Sequence, residues 1–393
     1  MMSGIKDKVA IIGMGCTRFG ERFEASREDL ILEAVQEALD DAGLTLQDID
    51  AFWFGSFYEM HGTALASVLK PDFKPVTRIE NNCCTGSDTL RNAAYAVASG
   101  AYKVVMAIGM DKLKDNGFSG NPFFNLYRDN TEPSFGGPAS FSLLVPAYAE
   151  KYGVSDEDMR EAMVHVSHKN HFNGAMNPKA LYRKEMTLDQ IRKSPMVCEP
   201  YLTIMDCSGV SDGAACAILT AADNALEYRP DPMYIKAAEI VASSGVGMFE
   251  TSYDYTTILE TEAAARTAYE KAGITNPSEQ LDLVELHDCF SITEIVLYEA
   301  LGLSERGQGW KDAIDGKYTI TGKLPVNTDG GLKAMGHPVG ASGIRMVYES
   351  WLQFHGKAGK RQLDNPKLGM AHCLGGKPWN NVSSVIIVGK ELG

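Results

Sequence analysis

The chain of 393 residues has no C-x-x-C pair and no small-domain cysteine framework among its eight cysteines. That excludes a redox dithiol motif and a disulfide scaffold, and it fits free thiols in a reducing compartment. No window approaches the ~18 apolar residues that a membrane-spanning helix needs. Positive charge is also scarce: 37 Lys and Arg face 51 Asp and Glu, for a net charge of −14 and a pI near 5.1. Such a surface argues against nucleic acid or an anionic membrane as the main partner, though a local basic pocket for a phosphorylated small ligand remains compatible with it. The start, "MMSGIKDKVAIIGMG", has too short an apolar run for a signal peptide, and the end, "GKELG", carries no peroxisomal address. These features read as a soluble cytoplasmic protein.

What the chain does have is a core and a repeat. Hydrophobic residues make up 45% of it, enough for one large or two to three smaller domains. "KVAIIGMG" reads as a buried strand, and "SREDLILEAVQEALDDAG" as a helix with Ser26 as N-cap and Gly43 as C-cap. The helical "DTLRNAAYAVASGA" and the strand "KVVMAIGM" follow, and "SDGAACAILT" closes the first half. The second half runs in the same order, from "MYIKAAEIVASSG" through "LETEAAARTAYEKAG", "SEQLDLVELHDCF" and "HPVGASGIRMVYESWLQF" to "VSSVIIVGK". An internal duplication of strand–helix units follows. The expected halves are residues 1–225 and 226–393, with an insertion at about 112–205. That segment is rich in Asn, Gly, Pro, Phe and Met with one good helix near Phe141 to Gly153, and reads as cover for a site.

The chemistry concentrates at corresponding turns. In "ENNCCTGSD", Cys83 and Cys84 lie between the strand candidate "VTRIE" and a helix starting near Ser87, where the positive end of the helix dipole favours thiolate. The matching turn of the second half, "NTDGGLKAMGHPVGASG", is glycine-rich and holds His337, which Pro338 restricts to extended geometry. A thiol facing an imidazole across a pseudo-twofold is a nucleophile–base arrangement. "LHDCFS" adds His287, Asp288 and Cys289, and "MAHCLGG" adds His372 and Cys373, a second thiol and further imidazoles for proton transfer or oxyanion stabilisation. Two other motifs carry no such reading. "GMGCTRFG" misses the G-x-G-x-x-G spacing, and "HVSHKNH" sets His165, His168 and His171 on a helix without a carboxylate or Cys at ligand spacing.

"NNCCTGSDTLR", "LHDCF", "GGLKAMGHPVGASG" and "CLGG", in this order, resemble the thiolase superfamily, in particular its sterol-carrier-protein-type and archaeal acetyl-CoA acetyltransferase-like branch, which has His–Asp–Cys–Phe where other thiolases have Asn–Glu–Ala–Phe. With "SP…CEPYLTIMDCSGVSDGAA" the resemblance extends over nearly the whole chain. It implies an α/β thiolase fold, duplicated βαβαβαββ halves in five α-β-α-β-α layers with an inserted loop domain. It implies Cys83 as nucleophile, His337 as its base, Cys373 as the acid–base at the α-carbon, and His287 with His337 around the thioester oxygen of the enolate. The backbone N–H groups of Cys83 and Gly375 would form a second oxyanion hole, and Cys84 takes a place usually held by a small residue.

The implied activity is thiolytic cleavage of a β-ketoacyl-CoA, or its Claisen reverse, with coenzyme A as substrate and no metal or redox cofactor. Acetoacetyl-CoA is the expected substrate. Lys377 and Trp379 stand where the family usually has small residues, and with the aromatic "FSGNPFFNLYRDN" they leave room for an aromatic or dicarboxylic substrate such as benzoylsuccinyl-CoA. A non-thiolytic condensing enzyme and a scaffold subunit are the competing readings, which the intact Cys83, His337 and Cys373 disfavour. The resemblance also implies a homodimer or a dimer of dimers, and admits a small OB-fold/zinc-ribbon subunit as partner.

Overall fold

The structure, a computed structural model, describes residues 4–116, 136–245, 247 and 252–393. The first half supplies β1 (Val9–Cys16), α1 (Arg27–Ala42), β2 (Ala51–Gly55), β3 (Val76–Ile79), α2 (Thr85–Ala98), β4 (Val104–Asp111) and, after the long intervening segment, β5 (Gly213–Ala221). That segment contains α3 (Asp156–Ala175). The second half supplies β6 (Met233–Ala242), α4 (Leu259–Ala272), β7 (Leu283–Glu285), α5 (Ser291–Ala300), α6 (Val339–Phe354), β8 (Leu368–Lys377) and β9 (Asn380–Gly389).

Strand order shows the duplication directly. The first half reads β3-β2-β4-β5-β1 and the second β6-β9-β8-β7. Beyond β7, Val326 forms a parallel bridge with Val284, in the place that β3 holds in the first half. The directions repeat too: β2 is parallel to β3 and β4, and β5 is antiparallel to β4 and β1. In the second half β7 is parallel to β8, and β9 is antiparallel to β8 and β6. A short antiparallel pairing, Ala10 with Tyr234 and Ile11 with Met233, joins the two into one continuous nine-stranded sheet.

The layers follow from which faces are apolar. On β1, Ala10 and Ile12 belong to the apolar cluster under α1, while Val9, Ile11 and Met14 face the larger central core. Helix α1 begins with a capping box between Ser26 and Asp29 and ends at Gly43 in left-handed conformation, so its length is set by its caps. Helix α4 covers β6 and β9 in the same way. Between the two halves of the sheet α2 and α6 lie against each other. Buried nearly all round, α6 carries polar groups that must pair internally: Arg345 with Glu285 and Asp329, at 3.1 and 2.5 Å, and Glu349 with Arg361 at 2.8 Å.

The α2–α6 contact is backbone to backbone. A Cβ on Gly86 would stand 2.7 Å from the Gly340 oxygen, and one on Gly343 would stand 2.3 Å from the Ser87 nitrogen. The described part of the segment after β4 is less irregular than its composition suggests. The helix expected near Phe141 to Gly153 is two short ones, Gly137–Ser142 and Leu144–Tyr152, and the 20-residue α3 follows. The aromatic stretch at 118–130 lies outside the described residues.

Gly343→Ala must push the two helices apart. We expect it to lose about 1–3 kcal/mol of stability or more, while Gly20→Ala, which meets only the Arg18 side chain at 3.4 Å, melts like the parent. Equal melting temperatures for parent and Gly343→Ala would show that the contact is not tight.

Candidate active site

Cys83 sits one residue before the N-cap of α2, on a turn whose conformation is fixed locally. Asn82 adopts a positive φ of 50°, which asparagine tolerates better than most residues. The N–H of Asn81 donates to Thr85 Oγ1 at 2.8 Å, the Asn81 amide to Asp88 at 2.6 Å, and Thr85 Oγ1 to the Asn82 carbonyl at 2.6 Å. His337 stands just before α6, whose N-cap is Pro338. His287 lies in the loop between β7 and α5. The sulfur of Cys83 and one nitrogen from each of these imidazoles lie within 4.8 Å of one another. The two rings meet edge to face with centroids 5.4 Å apart.

A hydroxyl outside the four expected side chains fixes the tautomer of His337. Ser342 donates its proton to the Pro338 carbonyl at 2.9 Å. Its oxygen, 2.7 Å from His337 Nδ1, must therefore accept from Nδ1–H. That leaves the Nε2 lone pair free, and among the described residues no group hydrogen-bonds to it. His337 is thus held as a base on the side that faces the cluster. Asp111 at the end of β4 anchors the same loop, accepting from the Gly340 N–H at 2.6 Å and the Ser56 hydroxyl at 2.8 Å. Burial raises its carboxyl to about 7. Ser342 lies inside the quoted "GHPVGASG", but its role depends on the helical turn that brings it back to residue 337.

Burial makes the site neutral at rest. It pushes the Cys83 thiol up to about 12, helped by Cys373, Asp111 and Glu80 and opposed by the Gly376 N–H. It pushes His337 down to about 3, with the Arg345 charge adding to the effect. His287 is driven well below its usual value by burial and by the neighbouring His337, His372 and Arg345. Cys83 retains partial exposure, whereas Cys373 is fully buried and its thiol is raised to about 11 by burial.

Cys373 and Gly375 fall on one face of β8, toward the nucleophile turn. A Cβ at Gly375 would stand 2.9 Å from the Cys83 nitrogen, so the two backbones meet there. The Gly376 N–H slightly offsets the upward shift of the Cys83 thiol, and the Gly375 N–H that of Cys84. Cys84 also does more than fill space: its thiol lies 3.1 Å from the Cys373 carbonyl and 2.9 Å from that of Val382, tying the turn to β8 and β9. His372 is not part of the cluster. Strand alternation turns it to the opposite face, where it meets Thr261 Oγ1 at 3.0 Å. Asp288 is likewise turned aside, accepting from the Leu332 and Lys333 N–H groups and from Asn170.

On α3, His165 pairs with Glu161 at 3.2 Å and His171 is buried beside Tyr182. At the end of β8 the Lys377 ammonium lies 5.4 Å from the Trp379 ring centre, and Tyr255 meets that ring edge-on at 5.9 Å. No described helix is long and apolar enough to cross a membrane.

A duplicated α/β protein with two thiols and two imidazoles between its halves defines a class, and comparison with known proteins agrees. The thiolase N-terminal domain model matches residues 9–125 and the thiolase C-terminal domain-like model residues 244–389. The acetyl-CoA acetyltransferase of Methanothermobacter thermautotrophicus is 38% identical over 94% of this chain and 96% of its own length. Bovine (Bos taurus) sterol carrier protein 2 is 32% identical over 95% of this chain and 71% of its own length. The Ltp2–ChsH2(DUF35) aldolase structure superposes with a TM-score of 0.84 at 24% identity, covering 99% of both chains. A Syntrophomonas wolfei acetyl-CoA acetyltransferase superposes with 0.71 at 16%, covering 97% of this chain and 99% of that one. The chain belongs to the thiolase family. Within it, it is an acyltransferase of the branch that holds the archaeal acetyl-CoA acetyltransferases and sterol carrier protein 2.

With the thiol raised and the imidazole lowered, the thiolate absorbance difference between the protein and Cys83→Ser should show no step between about pH 6 and about pH 9. A step near neutrality would mean a resting thiolate–imidazolium pair. Ser342→Ala should lower kcat about 10²-fold with little change in KM, and Ser342→Thr should restore it. A serine that merely packs would leave kcat unchanged.

Proposed function

We propose that this chain cleaves a β-ketoacyl-CoA thiolytically, or runs the reverse Claisen condensation, through an acyl thioester on Cys83. The observation that carries the reading is the meeting of Cys83, His287 and His337 within 4.8 Å, with Cys373 beside the nucleophile turn. His337 Nε2 takes the Cys83 proton as the sulfur attacks the keto carbon. The tetrahedral oxyanion is held by the backbone N–H groups of Cys83 and Gly375. The C–C bond then breaks, and its electron pair passes to the α-carbon of an enolate whose thioester oxygen lies against His287 and protonated His337. Cys373 donates its proton to that carbon, and its thiolate next deprotonates the thiol of coenzyme A. The resulting coenzyme A thiolate takes the acyl group from Cys83, the departing Cys83 sulfur recovers its proton from His337, and both cysteines and His337 return to their starting state. The balance needs no electron acceptor.

The neutral resting site supports this order. Proton transfer from a thiol near 12 to an imidazole near 3 is unfavourable until a substrate carbonyl accepts the sulfur. Fold alone does not assign the reaction, since a structure named as an aldolase shares it. The pair of thiols is what favours thiolysis over a non-thiolytic condensation or a scaffold role.

Acetoacetyl-CoA is the substrate we assign first. The Lys377–Trp379–Tyr255 group favours a second, an aromatic or dicarboxylic β-ketoacyl-CoA such as benzoylsuccinyl-CoA. We further propose a cytoplasmic homodimer or dimer of dimers, and a small OB-fold/zinc-ribbon subunit as partner. The two chains named in the aldolase structure, Ltp2 and ChsH2(DUF35), support the idea that this fold accommodates such an assembly.

Cys83→Ser should lose acetoacetyl-CoA thiolysis by at least about 10³-fold; cleavage at the parent rate would sink the reading. In a screen of short, branched, aromatic and carboxylated β-ketoacyl-CoAs, Lys377→Ala should lose kcat/KM selectively toward carboxylated substrates if the second assignment holds. Uniform values would leave acetoacetyl-CoA as the better assignment.

A further inference from the structure

We propose that Cys83, His287 and His337 also form a site for one zinc-class divalent ion, which occupies the nucleophile and makes the enzyme metal-sensitive. The donors are one sulfur and two imidazole nitrogens within 4.8 Å of one another, a soft to borderline set that suits Zn²⁺. Among the described residues no carboxylate joins the cluster, which disfavours Mg²⁺ and Ca²⁺. A tetrahedral ion with bonds of about 2.0–2.3 Å spaces its donors about 3.3–3.6 Å apart, so the three need to close by at most about 1.5 Å.

Two further observations point to an ion. Among the described residues, His337 Nε2 and His287 Nδ1 are buried and have no hydrogen-bond partner, in residues that are 9% and 1% exposed. His337 is also already oriented as ligating histidines are, its other nitrogen donating to Ser342 Oγ at 2.7 Å. The Cys83 side supplies an entrance, and a fourth position is left for water or an incoming thiol. Binding breaks the Cys83 S–H bond and forms a sulfur–metal bond, and the proton goes to solvent. One proton is therefore released per ion, and no electrons move.

The test is direct metal binding by the chelator-washed full chain, read without turnover, so it stands or falls separately from the proposed thiolysis. In competition with a chromophoric chelator we expect one Zn²⁺ per chain, release of about one proton, and slower alkylation of Cys83 by iodoacetamide. Co²⁺ in its place should give a thiolate charge-transfer band and the visible bands of a four-coordinate ion. His287→Asn and Cys83→Ser should each weaken binding about 100-fold, and Ser342→Ala about 10-fold. If either ligand variant fails to fold, Ser342→Ala with the Co²⁺ spectrum decides. Absence of stoichiometric binding would overturn the proposal. So would binding that all three variants leave unchanged, because the ion would then sit elsewhere, for example at Cys198 and Cys207.

Discussion

The site depends on how closely α2 and α6 approach. Their first turns touch through backbone atoms, with Gly86 against Gly340 and Gly343, and Gly343 against Ser87. Gly109 of β4 makes the same demand, since a Cβ there would stand 2.1 Å from the Gly340 oxygen. Only hydrogen fits at these positions. Because each helix is preceded by the turn that bears its reactive residue, a contact between helix starts is also a contact between Cys83 and His337. The duplicated fold explains why two such turns exist; the glycines explain why they meet.

Electrostatics then decide what the meeting produces. In water, a thiol at a helix start beside a histidine tends toward an ion pair. Here burial opposes charge on both partners, and the buried Arg345 further opposes protonation of His337 and His287. Arg345 is itself balanced by Glu285 and Asp329, so the charges that shape the site lie beneath it rather than in it. Such a buried pair contributes little to stability on its own. Its effect is to keep the imidazoles neutral, as bases and hydrogen-bond partners.

Much of this was legible in the sequence where local rules govern. Ser26 and Gly43 bound α1 because caps act within one turn, and the strand order repeats because the apolar runs repeat. Position left Cys83 and Cys84 level, and only the resemblance to the thiolases singled out Cys83; the structure turns Cys84 inward to the carbonyls of Cys373 and Val382. Long-range and face-dependent features were harder to see. Ser342 fixes a tautomer only once α6 has formed. Strand alternation alone separates His372 from Cys373. The helix expected under His165, His168 and His171 is α3, but its buried face was hidden in a polar stretch, because Lys169 and Asn170 there meet Glu294 and Asp288 rather than apolar partners.

The central claim is that Cys83, activated by His337, carries the acyl group. The most direct measurement is peptide mass spectrometry after acid quench of the protein incubated with acetyl-CoA. The account predicts an acetyl group on the Cys83 peptide, lost in His337→Ala and formed more slowly but still on Cys83 in Cys373→Ser, because Cys373 only protonates the departing coenzyme A thiolate. An acetyl group on Cys373 or Cys84, or undiminished labelling of Cys83 in His337→Ala, would contradict it.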